Sequence, residues 1–481
     1  MLFIGIDIGT QGVRAVAADE VGRIAAEADR HFSCLNAALA DDRKEQVADD
    51  WREAMCKALT KLTAALREEG VLREITSVAI DGTSGTILPV DGAGRPLMNA
   101  LMYNDARSKK QAAALSELTG DFRREYGYSI GTSFAVPKIM WIKQCCPEVA
   151  EKTAMYIHQS DYAVGTLTGE FGTTDYSNAL KTGYDTGRGK WADFLGPAGI
   201  DEKELPRVVS PGTQIGTVTK EAAEKTGLPE GTPVVAGATD GYSSSLAAGI
   251  AVPGDWATVL GTTIVLKGIS EKLAVDPEGR VYSHKHPEGW WLPGGASNVG
   301  GRCLNEKFPR ERWAELNRYV DEVTPTGILS YPLTMTGERF PYIAPEAEGV
   351  FPGSGDERRD YAALMEGVGY TERLCYDVLS ELGCNVSDTI MTSGGACRSE
   401  EWLRVRANIL GKRLLVPKEV DASMGSAMIA ASAKFGRLSQ AVKSMVVISK
   451  EIEPDIAKAR IYDDLYAHFK KMCEGIFGGQ K

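Results

Sequence analysis

The 481-residue sequence predicts a mixed α/β fold of two related lobes, and three observations carry that reading. The chain opens with an apolar strand running into a Gly-Thr turn, Phe3-Ile4-Gly5-Ile6-Asp7-Ile8-Gly9-Thr10-Gln11-Gly12. The same theme returns half a chain later as Ala257-Thr258-Val259-Leu260-Gly261-Thr262-Thr263-Ile264. Around each copy, strand-like runs alternate with amphipathic helical patterns, the mark of a layered α/β domain. Lobes over residues 1–247 and 248–453 are expected, with a tail helix over 454–481 returning to the first lobe.

The first lobe begins with strands at Leu2–Ile8, Val13–Ala18 and Ile24–Phe32. A helix follows, with Asp49 or Asp50 as its cap, Trp51, Met55, Leu59, Leu62 and Leu66 on one face, and Gly70 as its stop. Ile75–Ile80 reads as a buried strand leading into Asp81-Gly82-Thr83-Ser84-Gly85-Thr86. After a stretch rich in Gly, Pro and charge over 183–233, Val234–Ala238 is a strand that runs into Thr239-Asp240-Gly241. The small residues Ser243–Ile250 then form a closely packed helix. In the second lobe the Gly261 hairpin precedes a long helix from about Arg358 to Glu381, the strand Thr389–Thr392 and the turn Ser393-Gly394-Gly395-Ala396. Ser399 caps the next helix, and the strand Arg413–Val416 and the small-residue helix Ala422–Phe435 close the lobe. Polar loops at strand ends are where open α/β sheets bind ligands.

Composition narrows the function. Hydrophobic residues make up 43% and charged residues 25%, ordinary values for a globular chain. The net charge of −11 disfavours a nucleic-acid surface. No run of about 20 apolar residues marks a membrane span, and no charged leader precedes the first strand. The nine cysteines are scattered without a C-x-x-C pair, as expected of reduced thiols in a cytoplasmic protein. His284 and His286, beside a Pro-Glu-Gly turn, read as part of a solvated loop.

A Gly-Thr turn suits phosphate oxygens, because glycine allows close approach and backbone N–H groups form an anion nest. Two such turns in matching halves point to a nucleotide held between the lobes. Phosphoryl transfer also needs a carboxylate near a metal and a base near the acceptor hydroxyl. Asp7, at a strand end beside one turn, is the candidate for Mg²⁺, which keeps several waters. Asp240, flanked by small residues, is the candidate base. Gly394 and Gly395 offer a flat seat for a nucleoside, and Ser399 is counted with them in the nucleotide-binding set. Neither a P-loop nor a dinucleotide-binding glycine motif is present.

Taken in order, Gly5–Thr10, Asp81–Thr86, Tyr103-Asn104-Asp105-Ala106-Arg107, Gly237–Gly241, Gly261–Thr263 and Ser393–Ala396 resemble the FGGY carbohydrate kinases, over nearly the whole chain. Ser133–Gln144 resembles that family's first signature, with Lys138 and Trp141 in place and departures at Ala135 and Cys145. The resemblance implies two ribonuclease H-like domains of the actin-like ATPase type around a deep cleft, and ATP-dependent phosphorylation of a sugar. It implies that Asp240 is the general base, that Thr10, Gln11 and Gly12 with Gly261, Thr262 and Thr263 hold phosphates, and that Gly394 and Gly395 line the adenosine site. Ser393 stands where the family often has a first glycine.

For the sugar, Thr83-Ser84 replaces the Met-His pair usual in xylulose kinases, and the Arg-Glu pair of glycerol kinases is also absent. The loop is most similar to ribulose kinases of the cyanobacterial and plant type, which implies D-ribulose as substrate and contacts from Asp7, Ser84 and Asp240. Asn104 and Asp105 are further substrate-binding candidates, set against a structural loop network. D-xylulose and L-ribulose are the alternatives within the class. An actin-like ATPase with weak or no sugar kinase activity is the alternative outside it. The expected partners are the sugar, ATP and Mg²⁺, with a homodimer as the assembly to look for.

Overall fold

The computed structural model describes residues 1–32, 40–119 and 128–478. Two mixed sheets dominate it, and their strand orders correspond. In the first, Leu2–Ile8 pairs antiparallel with Gly12–Ala18 and parallel with Ile75–Gly82. Ile24–His31 extends the hairpin side, while Pro233–Val235 and then Gln214–Thr217 extend the other. In the second, Trp256–Leu260 pairs antiparallel with Ile264–Gly268 and parallel with Thr389–Ser393. Trp291–Ser297 follows on the hairpin side, and Arg413–Pro417 and Ile448–Ile452 on the other. Tyr282–Lys285 is an added edge strand. The two Gly-Thr turns therefore occupy the same place in two copies of one sheet.

Helices cover these sheets as their periodicity dictates. Ala48–Glu68 buries Trp51, Met55, Leu59, Leu62 and Leu66 against the first sheet. Its cap position falls on Val47, so Asp49 and Asp50 sit in the first turn and favour the helix dipole instead. Glu357–Glu381 runs through the second lobe, where its Glu372 receives a fully buried two-pronged bond from Arg406 at 2.7 and 2.8 Å. Between Gly82 and Pro233 an excursion forms its own small core around Ile87, Leu101, Val136, Ile139, Tyr156 and Leu180.

Two helices make tertiary contacts that their sequence patterns do not show. The tail helix Ile456–Phe477 buries Tyr462, Tyr466, Phe469, Cys473 and Phe477 in the second lobe's core, not the first's. Its aromatic stripe faces Tyr331 and Tyr370, and its hydroxyls have carboxylates to bond there: Tyr462 to Glu366 at 2.8 Å and Tyr466 to Asp377 at 2.7 Å. Residues 479–481 of the expected tail lie outside the described residues. The small-residue helix Ala422–Phe435, expected to close the second lobe, follows that lobe's strand Arg413–Pro417 and packs across onto the first sheet and the helix Asp240–Ala247. Its glycine and serine positions permit that contact. A methyl group on Gly425 would fall 1.9 Å from the Ser243 carbonyl oxygen, and one on Gly5 would fall 1.8 Å from the Ser423 carbonyl oxygen.

We call Asp240–Ala247 the base helix and Ala422–Phe435 the seam helix. Gly425→Ala is expected to destabilise the protein by about 2 kcal/mol or more, because backbone must move on both sides of the seam. Gly475→Ala, with nothing within 4 Å of its new methyl, is expected to be neutral or stabilising by up to about 1 kcal/mol. Paired thermal and denaturant unfolding of the two variants measures the contrast.

Candidate active site

The strand register places Asp7 beside Asp81, at the C-terminal ends of parallel neighbours. Burial is the main force on Asp7 and pushes its carboxyl up to about 6. A hydrogen bond with Asp81 and the charge of Arg14 hold it down, while Asp421 and Asp240 push it further up. Asp81 is fully buried, and burial followed by the charge of Asp7 raises it far above the usual carboxylate range. It is bonded to Asp7 on one side and accepts from Ser426 of the seam helix at 2.5 Å on the other. Asp7 Oδ1 is buried with no hydrogen-bond partner in the protein.

The turn after Asp7 is braced from behind. Gly9 N–H closes the hairpin on the Gly12 carbonyl at 2.9 Å, and Gln46 Nε2 donates to the Thr10 carbonyl at 2.7 Å. Trp51 Nε1 in turn donates to Gln46 at 2.7 Å. A groove of about 730 Å³ opens along Asp7, Gln11, Gly12 and Arg14. Arg14 makes an ion pair with Asp421, which caps the seam helix. Asp421 follows a second-lobe strand, so this pair brings the strand ends of the two sheets together.

Asp240 is the first residue of the base helix, and Gly82 bridges to Thr239 just before it. Burial raises the Asp240 carboxyl, while N–H bonds from Gly241 (2.7 Å) and Ser84 and the charge of Lys181 hold it back. In the loop beside it, Thr83 spends its hydroxyl on Thr86 and Gln159 at 2.6 and 2.8 Å. Ser84 Oγ is buried and has no protein partner, so it is free for a ligand.

In the second lobe, Gly261 N–H bonds the Thr263 carbonyl at 3.1 Å, leaving Thr262 exposed at the tip. Gly301 N–H supports the turn from behind by donating to the Gly261 carbonyl at 2.8 Å. Gly394, at φ +96°, packs against Leu260, and Gly395 opens onto free space. The structure thus groups Gly261–Thr263 with Gly394 and Gly395, and groups Asp7, Thr10–Gly12, Ser84 and Asp240 across the seam.

Two of the expected site residues have other work. Ser399 donates to Glu401 and accepts from Trp402 N–H as a helix cap, so its hydroxyl is already engaged. Asp105 is fully buried and accepts from Lys44 N–H at 2.7 Å and from the Arg107 guanidinium at 2.8 to 3.0 Å. It holds a loop together. Asn104 is exposed on that loop. The signature residues serve the same region: Lys138 donates to the Thr132 and Phe134 carbonyls at 2.6 and 2.9 Å, and Trp141 lies under Arg107. His284 and His286 are buried beside the seam rather than solvated, His284 edge-on to Tyr242 of the base helix.

Sequence reasoning missed Asp81, Arg14, Asp421, Lys181 and Tyr282. Asp81 was in view as a loop residue, but only the parallel register shows it beside Asp7. The others carry no local motif.

Two copies of one α/β lobe, with carboxylates at the strand ends and a glycine turn from each sheet, define a two-lobed phosphotransferase. Residues 2–247 match the N-terminal domain of the FGGY family of carbohydrate kinases and residues 256–434 match its C-terminal domain, so the chain belongs to that family. The xylulose kinase of Bacillus subtilis is 26% identical over 485 residues, covering 98% of this chain and 96% of the relative. The gluconokinase of Bacillus subtilis is 26% identical over 492 residues, covering 97% and 94%. The solved xylulose kinase of Rhodospirillum rubrum superposes with a TM-score of 0.87 at 27% identity, covering 98% of both chains. The finer expectation of a ribulose kinase is not carried by these relatives.

A carboxyl raised by folding favours the folded state below its ordinary value of 3.8 and withdraws that contribution as pH rises through about 6. Asp7→Asn removes the buried charge. In the ligand-free protein it is therefore expected to stabilise the fold above about pH 6 by on the order of 2 kcal/mol, and to converge with the parent near 3.8. Thermal unfolding across this range measures the difference.

Proposed function

We propose that this carbohydrate kinase transfers the γ-phosphoryl group of ATP to a hydroxyl of a pentulose, with Asp240 as general base. The observation that carries the reading is the position of Asp240. It heads a helix, is largely withdrawn from water, and lies beside a serine hydroxyl that has no protein partner. Burial raises its carboxyl toward the operating range of a base, while Lys181 and two N–H groups favour its ionised form. The pentulose would lie on the 81–86 loop, with Ser84 and Asp240 bonding its hydroxyls.

The turns Thr10–Gly12 and Gly261–Thr263 would hold phosphate oxygens, and Gly394 and Gly395 the adenosine. Asp7 would hold Mg²⁺, and its unpartnered buried oxygen fits that use. The bound ion would neutralise phosphate charge as it shifts between oxygens. Among the described residues no helix is long and apolar enough to cross a membrane, and a cytoplasmic site of action belongs to the same proposal.

D-ribulose is the first choice of sugar, because Thr83-Ser84 lacks the bulk of the Met-His pair associated with xylulose kinases. D-xylulose is the second reading, favoured by the names of the relatives.

Asp240→Ala is expected to lose roughly 10²–10⁴-fold in kcat while keeping nucleotide affinity. Undiminished sugar-dependent turnover would remove Asp240 as the base. A coupled ADP-release assay across D-ribulose, D-xylulose, L-ribulose, L-xylulose, glycerol and D-gluconate tests the substrate. A pentulose is expected to give the highest kcat/KM. Preference for D-gluconate or glycerol would overturn the pentulose reading alone, and no sugar-dependent turnover would count against kinase activity itself.

A further inference from the structure

Lys181 enters the reading above only as a charge acting on Asp240, and its place in the fold gives it more. It follows the short helix Tyr176–Leu180, in the excursion between the first-lobe strands. Its backbone is fixed at both ends: its N–H donates to the Asn178 carbonyl at 3.2 Å, and its carbonyl accepts from Ala135 N–H at 2.8 Å. The side chain then runs into the protein, its ammonium facing the Phe134 ring at 5.8 Å and reaching the Ser84 carbonyl at 3.5 Å. Space around the stem is tight. A methyl group on Gly85, which sits at φ +83°, would lie 3.1 Å from Lys181 Cδ and 2.3 Å from the Ser133 carbonyl oxygen.

Ser84 thus stands between two charges. Its N–H points to the Asp240 carboxylate and its carbonyl to the Lys181 ammonium. We propose that Lys181 is a positioning residue for the base: it anchors Ser84 so that its N–H meets Asp240, and it supplies the positive charge that acts on that carboxylate.

The surroundings explain why a cation is needed there. Asp240 shares its region with Asp7 and Asp81 from the strand ends, and with Tyr282 from the second lobe's edge strand. Burial raises all three and favours their neutral forms. Burial opposes an ionised base, and Lys181 opposes burial in turn. Burial lowers the Lys181 ammonium and Asp240 raises it, so each charge supports the other, while Lys138, Lys267 and His284 face the ammonium from neighbouring elements. A longer-range pair separated by the backbone of one residue also leaves the carboxylate oxygens open to a substrate, which a direct ion pair would occupy.

The inference rests on Asp240 acting as base, so Asp240→Ala is run alongside and reports on that reading separately. The test compares pH profiles of kcat/KM for the parent, Lys181→Met, Lys181→Gln and Lys181→Arg. Without the cation Asp240 holds its proton to higher pH, so the acid limb moves upward. Lys181→Met is expected to lose about tenfold or more at about pH 6 and to recover most of it by about pH 9. Lys181→Gln can still donate to the Ser84 carbonyl, so its acid limb moves while KM stays near the parent's. Lys181→Arg restores the parent profile. Nucleotide affinity and the unfolding midpoint of each variant report folding, and Gln serves if Met does not fold. An unmoved acid limb in both uncharged variants, or a pure rise in KM, would overturn the proposal. So would an equal loss at every pH that Arg fails to rescue. A dead Asp240→Ala with any of these outcomes leaves the base reading standing and removes only the role of Lys181.

Discussion

The seam between the base helix and the seam helix is the constraint on which the rest of the molecule depends. Gly425 brings the seam helix backbone against the Ser243 carbonyl, and Gly5 brings the first sheet against Ser423. Neither approach leaves room for a side chain, and interiors packed at crystal-like density transmit such a constraint instead of absorbing it. The two helices occupy equivalent places in the duplicated fold. Each follows the outer parallel strand of its own sheet, Pro233–Val235 or Arg413–Pro417. They cross in one shared apolar layer made from Tyr242, Leu246, Met424, Ala427 and Met428. Two sheets that would otherwise be separate bodies are joined there.

The chemistry follows from that crossing. Asp240 begins one helix and Asp421 caps the other, so both carboxylates arrive near Asp7 and Asp81 at the strand ends. Four carboxyl groups in one place would repel, and the structure manages them individually. Burial and the charge of Asp7 favour the protonated form of Asp81, which bonds Asp7 and Ser426. Asp421 pairs with Arg14, and Asp240 has Lys181 one residue away. Asp7 is left with a free buried oxygen. Sites that tolerate such strain give up stability for function, and partners that neutralise each charge limit that loss.

Much of this was legible in the sequence because it is local. The strand, Gly-Thr turn and strand of each hairpin are contiguous, and so are Val234–Asp240 and Ser393–Gly395. Their repetition gave two lobes, and their residue types gave phosphate and base. What could not be read were contacts set by tertiary packing. A stripe of Gly, Ala and Ser announces close packing but not its partner, so the contact of the seam helix with the first sheet and the base helix was not foreseen. The aromatic stripe of the tail had the same ambiguity, resolved by Glu366 and Asp377, about 90 residues earlier in the chain. Lys181 sits in an irregular stretch, 97 residues from the Ser84 carbonyl that gives it meaning. Asp105 and Ser399 were plausible ligands by type, but side chains of these types also bond backbone N–H groups readily, and here they do.

The central claim is that the base helix delivers Asp240 to the acceptor hydroxyl while both glycine turns grip the phosphates of one nucleotide. A crystal structure with a non-hydrolysable ATP analogue, Mg²⁺ and the sugar that performs best in the assay tests it most directly. The account predicts one sugar hydroxyl within about 3 Å of an Asp240 oxygen and directed at the γ-phosphorus. It also predicts phosphate oxygens on Thr10–Gly12 and Gly261–Thr263. A sugar bound with no hydroxyl near Asp240, or a nucleotide whose phosphates touch only one of the two turns, would contradict it.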